Sequence, residues 1–166
     1  MKLKGRAHRY GADVNTDLII PARCLQSDDR GFWKAHCMED LDTEFVSRMK
    51  PGDFIVATTN FGCGSSREQA PVVIKDIGVS CVIASSFARI FFRNAINIGL
   101  PILECPEAAE ATAMGDELEV DLAAGEISNL TRGKTFRAKP YPDFMMGIIE
   151  KGGLIAYTNS RFKAGG

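Results

Sequence analysis

Between Phe54 and Leu103 the chain alternates three short apolar runs with two stretches of helical periodicity, and few folds accommodate that order. The runs are Phe54-Ile55-Val56-Ala57, Cys81-Val82-Ile83-Ala84 and Leu100 to Leu103. Such runs, unbroken by polar residues, suit strands buried on both faces, as in a parallel sheet covered by helices. In the first intervening stretch, Glu68 to Ile77, apolar residues recur at Ala70, Val73, Ile74 and Ile77. In the second, Phe87, Ile90, Phe91 and Ile98 fall on one helical face, with Ser85 or Ser86 as N-cap and Gly99 as terminator. The order predicts an α/β fold with a parallel βαβαβ core and right-handed crossovers.

The flanking segments differ in character. Lys2 to His8 reads as a first strand, and Asp13 to Asp17 as an Asx-type turn leading into a strand at Leu18-Ile19-Ile20, stopped by Pro21. The turn imitates the start of a calcium loop, but Leu18 and Cys24 occupy the positions that need glycine and glutamate. Residues 22–50 mix charges with scattered aromatics and predict a long, mobile loop with one or two helical turns. Beyond the core, Glu117 to Asp121, Glu126 to Asn129 and Thr135 to Ala138 predict short strands with Gly125 and Gly133 at turns. These form an additional β-rich layer, and Tyr141 to Lys151 a terminal helix. The whole, residues 1–166, is read as one domain.

Charge excludes some functions. With 20 basic against 21 acidic residues there is no electrostatic case for nucleic acid or an anionic membrane surface. No stretch approaches the ~20 apolar residues of a membrane span. The basic start, Met1 to Arg6, has no apolar segment after it, so no signal peptide is expected. The five cysteines are irregularly spaced without a C-x-x-C pair, which argues against a disulfide framework or zinc site and for a reducing cytoplasm.

The chemistry gathers in Asn60-Phe61-Gly62-Cys63-Gly64-Ser65-Ser66-Arg67-Glu68, between a strand and a helix. Gly62 and Gly64 let the backbone approach a ligand closely, and two hydroxyls fall where a helix start favours an anion. Arg67 adds a planar fork for a carboxylate. A Walker A loop would place a lysine before the hydroxyls, and a dinucleotide fingerprint would have glycine at Arg67; neither is present. His8 and His36 are the only histidines, far from the motif in sequence, which disfavours a Ser-His-Asp hydrolase. Ser65 acts as a base only where N–H donors and a cation stabilise its alkoxide, and this segment supplies both. A glycine turn with a serine cap and a salt-bridged arginine would look the same locally. Cys63 reads as a small filler, and Arg89 with Arg93 as a basic stripe in which at least one residue faces solvent or a partner.

The motif resembles the signature of the aconitase superfamily's swivelling domain, in the form carried by a separate small subunit. Asn15 to Arg23 and Ser86 to Asn97 match two further segments of that family in order, so the resemblance spans nearly the whole chain. It implies a β/β/α swivelling domain that closes over a [4Fe–4S] cluster on an aconitase-like large subunit, in a heterodimer or heterotetramer. No metal ligand is implied in this chain. The implied reaction removes water from a hydroxy di- or tricarboxylate and returns it with the hydroxyl on the neighbouring carbon. By the same resemblance Ser65 is the base, Arg67 binds a carboxylate, and Ser66 and Gly64 complete the anion pocket. Arg23, Leu25 and Gln26 open the substrate-sorting segment. Here Cys24-Leu25-Gln26 replaces the Tyr-Leu start usual in the archaeal-type short small subunits, and Gln69 replaces a usual histidine. An amide at Gln26 lacks the charge for a distal carboxylate, so an isopropyl-substituted malate is expected before homocitrate or dimethylmalate. A non-catalytic module for organic acids is the reading from another class, and it predicts ligand binding without a large subunit.

Overall fold

The first strand, β1 (Lys2–Arg9), changes partner along its length in this computed structural model, which describes residues 1–165. Lys2 to Arg6 form an antiparallel ladder with a strand from late in the chain. Ala7 to Arg9 instead form a parallel ladder with the next strand in sequence. The exchange happens beside Gly5, where a Cβ would lie 2.4 Å from the Gly52 carbonyl oxygen. Only glycine lets the incoming turn pass that close.

After β1 come the short helices α1 (Thr16–Ile19), α2 (Arg30–Ala35) and α3 (Phe45–Arg48), with a 3-10 turn over Ala22–Gln26. The parallel core follows as β2 (Phe54–Ala57), α4 (Gln69–Asp76), β3 (Cys81–Ala84), α5 (Arg89–Asn97) and β4 (Ile102–Glu104). Then come α6 (Pro106–Ala111), the strands β5 (Glu117–Asp121), β6 (Glu126–Asn129) and β7 (Lys134–Arg137), and helices α7 (Asp143–Glu150) and α8 (Leu154–Ala164).

The spatial order is β4-β3-β2-β1-β5-β6-β7. The two expected βαβ units are present, in parallel register from Phe54 opposite Cys81 and Val82 opposite Ile102. Every residue of β2 and β3 is buried, the condition their unbroken apolar runs predict. Strands β5 and β6 instead alternate, burying Leu118, Val120 and Ile127 on one face. Strand β1 thus joins a parallel core to an antiparallel, half-exposed layer.

Several local expectations are corrected. Leu18 and Ile19 lie in helix α1 rather than a strand, because Asn15 Oδ1 accepts from the Leu18 N–H at 3.0 Å and caps a helix. Neither Ser85 nor Ser86 caps α5: its N-cap is Ala88, and Ser86 Oγ accepts from the Asn60 N–H at 2.8 Å. Ile90 is 54% exposed, since the buried face of α5 runs through Phe91, Ala95 and Ile96. Helix α7 is not terminal, for α8 follows the Gly152-Gly153 break.

Residues 22–50 carry three helical pieces and bury Cys24, Cys37, Met38 and Phe45. Arg30 anchors them to α4, its Nε donating to Asp76 at 2.6 Å.

Below the exchange point, His8 and Asp53 form a buried pair, Nε2 to Oδ2 2.9 Å. The same carboxylate accepts from the N–H groups of Arg6 and Lys50, each at 3.0 Å. Burial pushes the Asp53 carboxyl up, but the bonds from His8 and the two N–H groups outweigh it and hold the group below its usual range. A depressed carboxyl contributes stability above its unfolded pKa of about 3.9 and loses it as pH falls through the folded value. Asp53→Ala is therefore expected to cost about 3 kcal/mol in urea unfolding at pH 7. The difference from the parent chain should shrink below about pH 4.

Candidate active site

The segment after β2 leaves the carboxyl edge of the parallel strands, where open α/β sheets place their ligands. There it is fastened on two sides. Toward β3 and α5, the Phe61 N–H donates to the Ser86 carbonyl (3.1 Å) and the Ala88 N–H to the Phe61 carbonyl (2.9 Å). The Phe61 ring packs edge-on to Phe91, with centroids 5.3 Å apart. Toward α1, the Gly62 N–H donates to Val14 (2.8 Å), the Thr16 N–H to Cys63 (2.9 Å) and Thr16 Oγ1 to the Ser65 carbonyl (2.8 Å). The three segments singled out in the sequence, from residues 15–23, 60–68 and 86–97, therefore meet at one place.

Glycine is demanded at position 62. Its φ is +82°, and a Cβ would fall 2.2 Å from Cγ of Phe91. Asn60 also takes a left-handed conformation, φ +63°, and its amide donates to Asp13 at 3.1 Å.

The resulting pocket, about 220 Å³, is walled by Gly64, Ser65, Ser66 and Arg67 on one side and by Ala88 to Phe91 with Asn94 on the other. Both serines are exposed. They precede the helix rather than start it, because α4 begins at Gln69 with Glu68 as its cap. Their anion-binding capacity comes from the loop itself. Among the described residues, no hydrogen bond occupies the N–H groups of Gly64, Ser65, Ser66, Arg67 or Glu68.

Arg67 is only 15% exposed. Its Nη1 donates to the Ile20 carbonyl at 3.2 Å and is paired with the Asp17 carboxylate. Both contacts use the same nitrogen, so Nε and Nη2, the edge that grips a carboxylate side-on, have no partner among the described residues. Asp17 and Thr16 thus hold the clamp and the serine loop, roles that their place in the sequence does not reveal.

The other expected substrate contacts lie outside this pocket. Arg23 is bound bidentately to Asp40 (2.9 and 2.8 Å) and paired with Glu39, while Leu25 packs against the core and Gln26 is exposed. They start three residues beyond Ile20, the residue that anchors Arg67. Arg93 is exposed and stands off the pocket, as the basic-stripe reading has it, whereas Arg89 faces into it. Nothing in the sequence marks this, because the expected cap at Ser85 or Ser86 starts the helix too early, ahead of the observed cap at Ala88.

Burial and the nearby Asp13 charge push the Cys63 thiol up, which argues against a thiolate nucleophile. Burial likewise pushes up the Cys37 and Cys81 thiols. Among the described residues no three cysteines converge, so this chain lacks the thiolate set of an iron–sulfur cluster. One mixed group, Cys24, His36 and Glu39, has ligand atoms within 4.8 Å of one another, but Glu39 is already bound to Arg23 and His36.

Gly62→Ala is expected to lower stability by about 3 kcal/mol, through strain at positive φ and the collision with Phe91. Gly115→Ala, at φ +85° with nothing within 4 Å of the added carbon, should cost only about 1 kcal/mol. Thermal unfolding of the two variants checks the contrast.

Comparison with known proteins matches residues 23–108 to the aconitase C-terminal domain family. The chain is 58% identical over 163 residues to the 3-isopropylmalate dehydratase small subunit of Caldicellulosiruptor bescii, covering 98% of each. It is equally 58% identical over 163 residues to the 2,3-dimethylmalate dehydratase small subunit of Eubacterium barkeri, covering 98% of this chain and all of that one. The crystal structure of a 3-isopropylmalate dehydratase from Methanocaldococcus jannaschii superposes with a TM-score of 0.93 at 44% identity, over 99% of this chain and 97% of that one.

Proposed function

The chain belongs to the aconitase C-terminal domain family, and from that footing we propose that it is the small subunit of 3-isopropylmalate dehydratase, a hydro-lyase of leucine biosynthesis. The enzyme isomerises 2-isopropylmalate and 3-isopropylmalate by dehydration and rehydration. The observation that carries this reading is the pocket itself. One small cleft is lined by two exposed serines, by Arg67 with Nε and Nη2 unpartnered among the described residues, and by a loop whose N–H groups from Gly64 to Arg67 are likewise unpartnered.

In this reading Arg67 receives a substrate carboxylate on Nε and Nη2, and the N–H groups of Gly64 and Ser66 complete its hydrogen bonds. Ser65 Oγ, as alkoxide, takes the proton from the carbon next to the one bearing hydroxyl, while hydroxide leaves the latter carbon and a C=C bond forms. On rehydration it gives the proton to the carbon that lost the hydroxyl, and hydroxide adds to the neighbouring carbon. An alkoxide at Ser65 is stabilised by the surrounding N–H donors and the Arg67 charge. The positions 23, 25 and 26 are assigned to the substrate-sorting segment by the family resemblance alone.

The partner is an aconitase-like large subunit, in a heterodimer or heterotetramer, and the [4Fe–4S] cluster is assigned to it. No helix among the described residues is long and apolar enough to cross a membrane. All five cysteines are free, which supports placing the enzyme in the reducing cytoplasm. A second reading, 2,3-dimethylmalate dehydratase, is favoured by one specific observation, the equal identity to the Eubacterium barkeri subunit.

Purified chain alone is expected to be inactive, and the complex with its large subunit active on isopropylmalate. Turnover of dimethylmalate or homocitrate in its place would reassign the substrate. In that complex Ser65→Ala should lower kcat about a thousand-fold without changing the unfolding midpoint. Near-normal kcat would remove Ser65 from the base role. Arg67→Lys keeps the charge but loses the fork, so KM should rise about 30-fold.

A further inference from the structure

We propose that the head of α5 forms the second half of the substrate seat, with Arg89 binding the second carboxylate and Ile90 packing against the alkyl substituent. The inference rests on the substituted-malate reading above. Such a substrate carries two carboxylates, and Arg67, with Nη1 held by Ile20 and Asp17, offers one bidentate edge. The opposite wall of the same pocket presents Arg89. Its guanidinium is exposed and, among the described residues, has neither an ion pair nor a hydrogen bond.

Its position sharpens the point. Arg89 is the first residue of α5, whose first turn contains no acidic side chain. A cation at a helix N-terminus opposes the macrodipole, so nothing local favours it there. An anion bound at that end satisfies the guanidinium and the helix together. Ile90 breaks the amphipathic pattern in a comparable way. It is 54% exposed on a helix whose other large apolar residues are buried or half-buried, and it lines the pocket beside Arg89. A branched alkyl group seated between Ile90 and Ala88 would cover that surface. The two adjacent residues thus present one polar and one apolar contact, matched to the two groups that distinguish a substituted malate from a simple monocarboxylic acid.

The test uses the assembled complex with its large subunit. Arg89→Gln is expected to raise KM about 30-fold with a smaller change in kcat, and Arg89→Lys to recover part of the loss. Unfolding midpoint and subunit association should stay as in the parent, because the side chain holds nothing within its own chain. Ile90→Ala is expected to lower kcat/KM for isopropylmalate about 10-fold, and for a methyl-substituted malate much less. Unchanged KM in Arg89→Gln, dissociation of the complex by that substitution, or an equal loss on both substrates in Ile90→Ala would overturn the proposal. A parent complex active on substituted malates alongside indifferent variants sinks this inference alone. A parent complex inactive on all of them sinks the functional reading and this inference with it.

Discussion

The cleft depends on one close approach, the backbone of Gly62 against the ring of Phe91. That contact brings the loop before the serines up against α5, while the N–H groups of Gly64 to Glu68 have no hydrogen-bond partner among the described residues. The short parallel bridge between Phe61 and Phe87 and the edge-on ring of Phe61 hold the approach from below. From the other side, Val14 and Thr16 tie the same loop by backbone and hydroxyl bonds. Remove the clearance at Gly62 and each of these neighbours has to move. A loop so fastened keeps unsatisfied donors available without collapsing onto them, which is what electrostatic preorganisation requires.

The parallel core was legible because burial on both faces leaves an unmistakable mark, four consecutive apolar residues at Phe54 and again at Cys81. The antiparallel strands were legible through Gly125 and Gly133, which take φ of +69° and +66° at their turns. Helix α8 was not. Ile155 and Phe162 are 79% and 77% exposed, so no buried stripe marks the helix in the sequence. The cap of α5 was misjudged for a different reason: Ser86 satisfies the N–H of Asn60, 26 residues away, and such a long-range bond leaves no local trace.

The site shows the same division. Ser65, Ser66 and Arg67 stood out as a motif, although a capped glycine turn reads the same locally, and the structure puts all three on one pocket wall. Their supports did not, since Thr16 and Ile20 reach them across 49 and 47 residues of chain. The segment holding Arg23, Leu25 and Gln26 is legible by resemblance but lies off the cleft, its arginine held by Asp40 and Glu39. Arg89 shows the reverse, a residue plain in the sequence whose place in the cleft depends on where α5 begins.

The shared strand β1 has a mechanical meaning. Because one continuous backbone is hydrogen-bonded first to the antiparallel layer and then to the parallel one, neither can turn without carrying the other. On the parallel side of that strand, the serines, the guanidinium fork and the head of α5 are fastened to one another by the bonds of Thr16, Ile20, Phe61 and Ala88. Their mutual spacing is established when the polypeptide folds, before any substrate arrives.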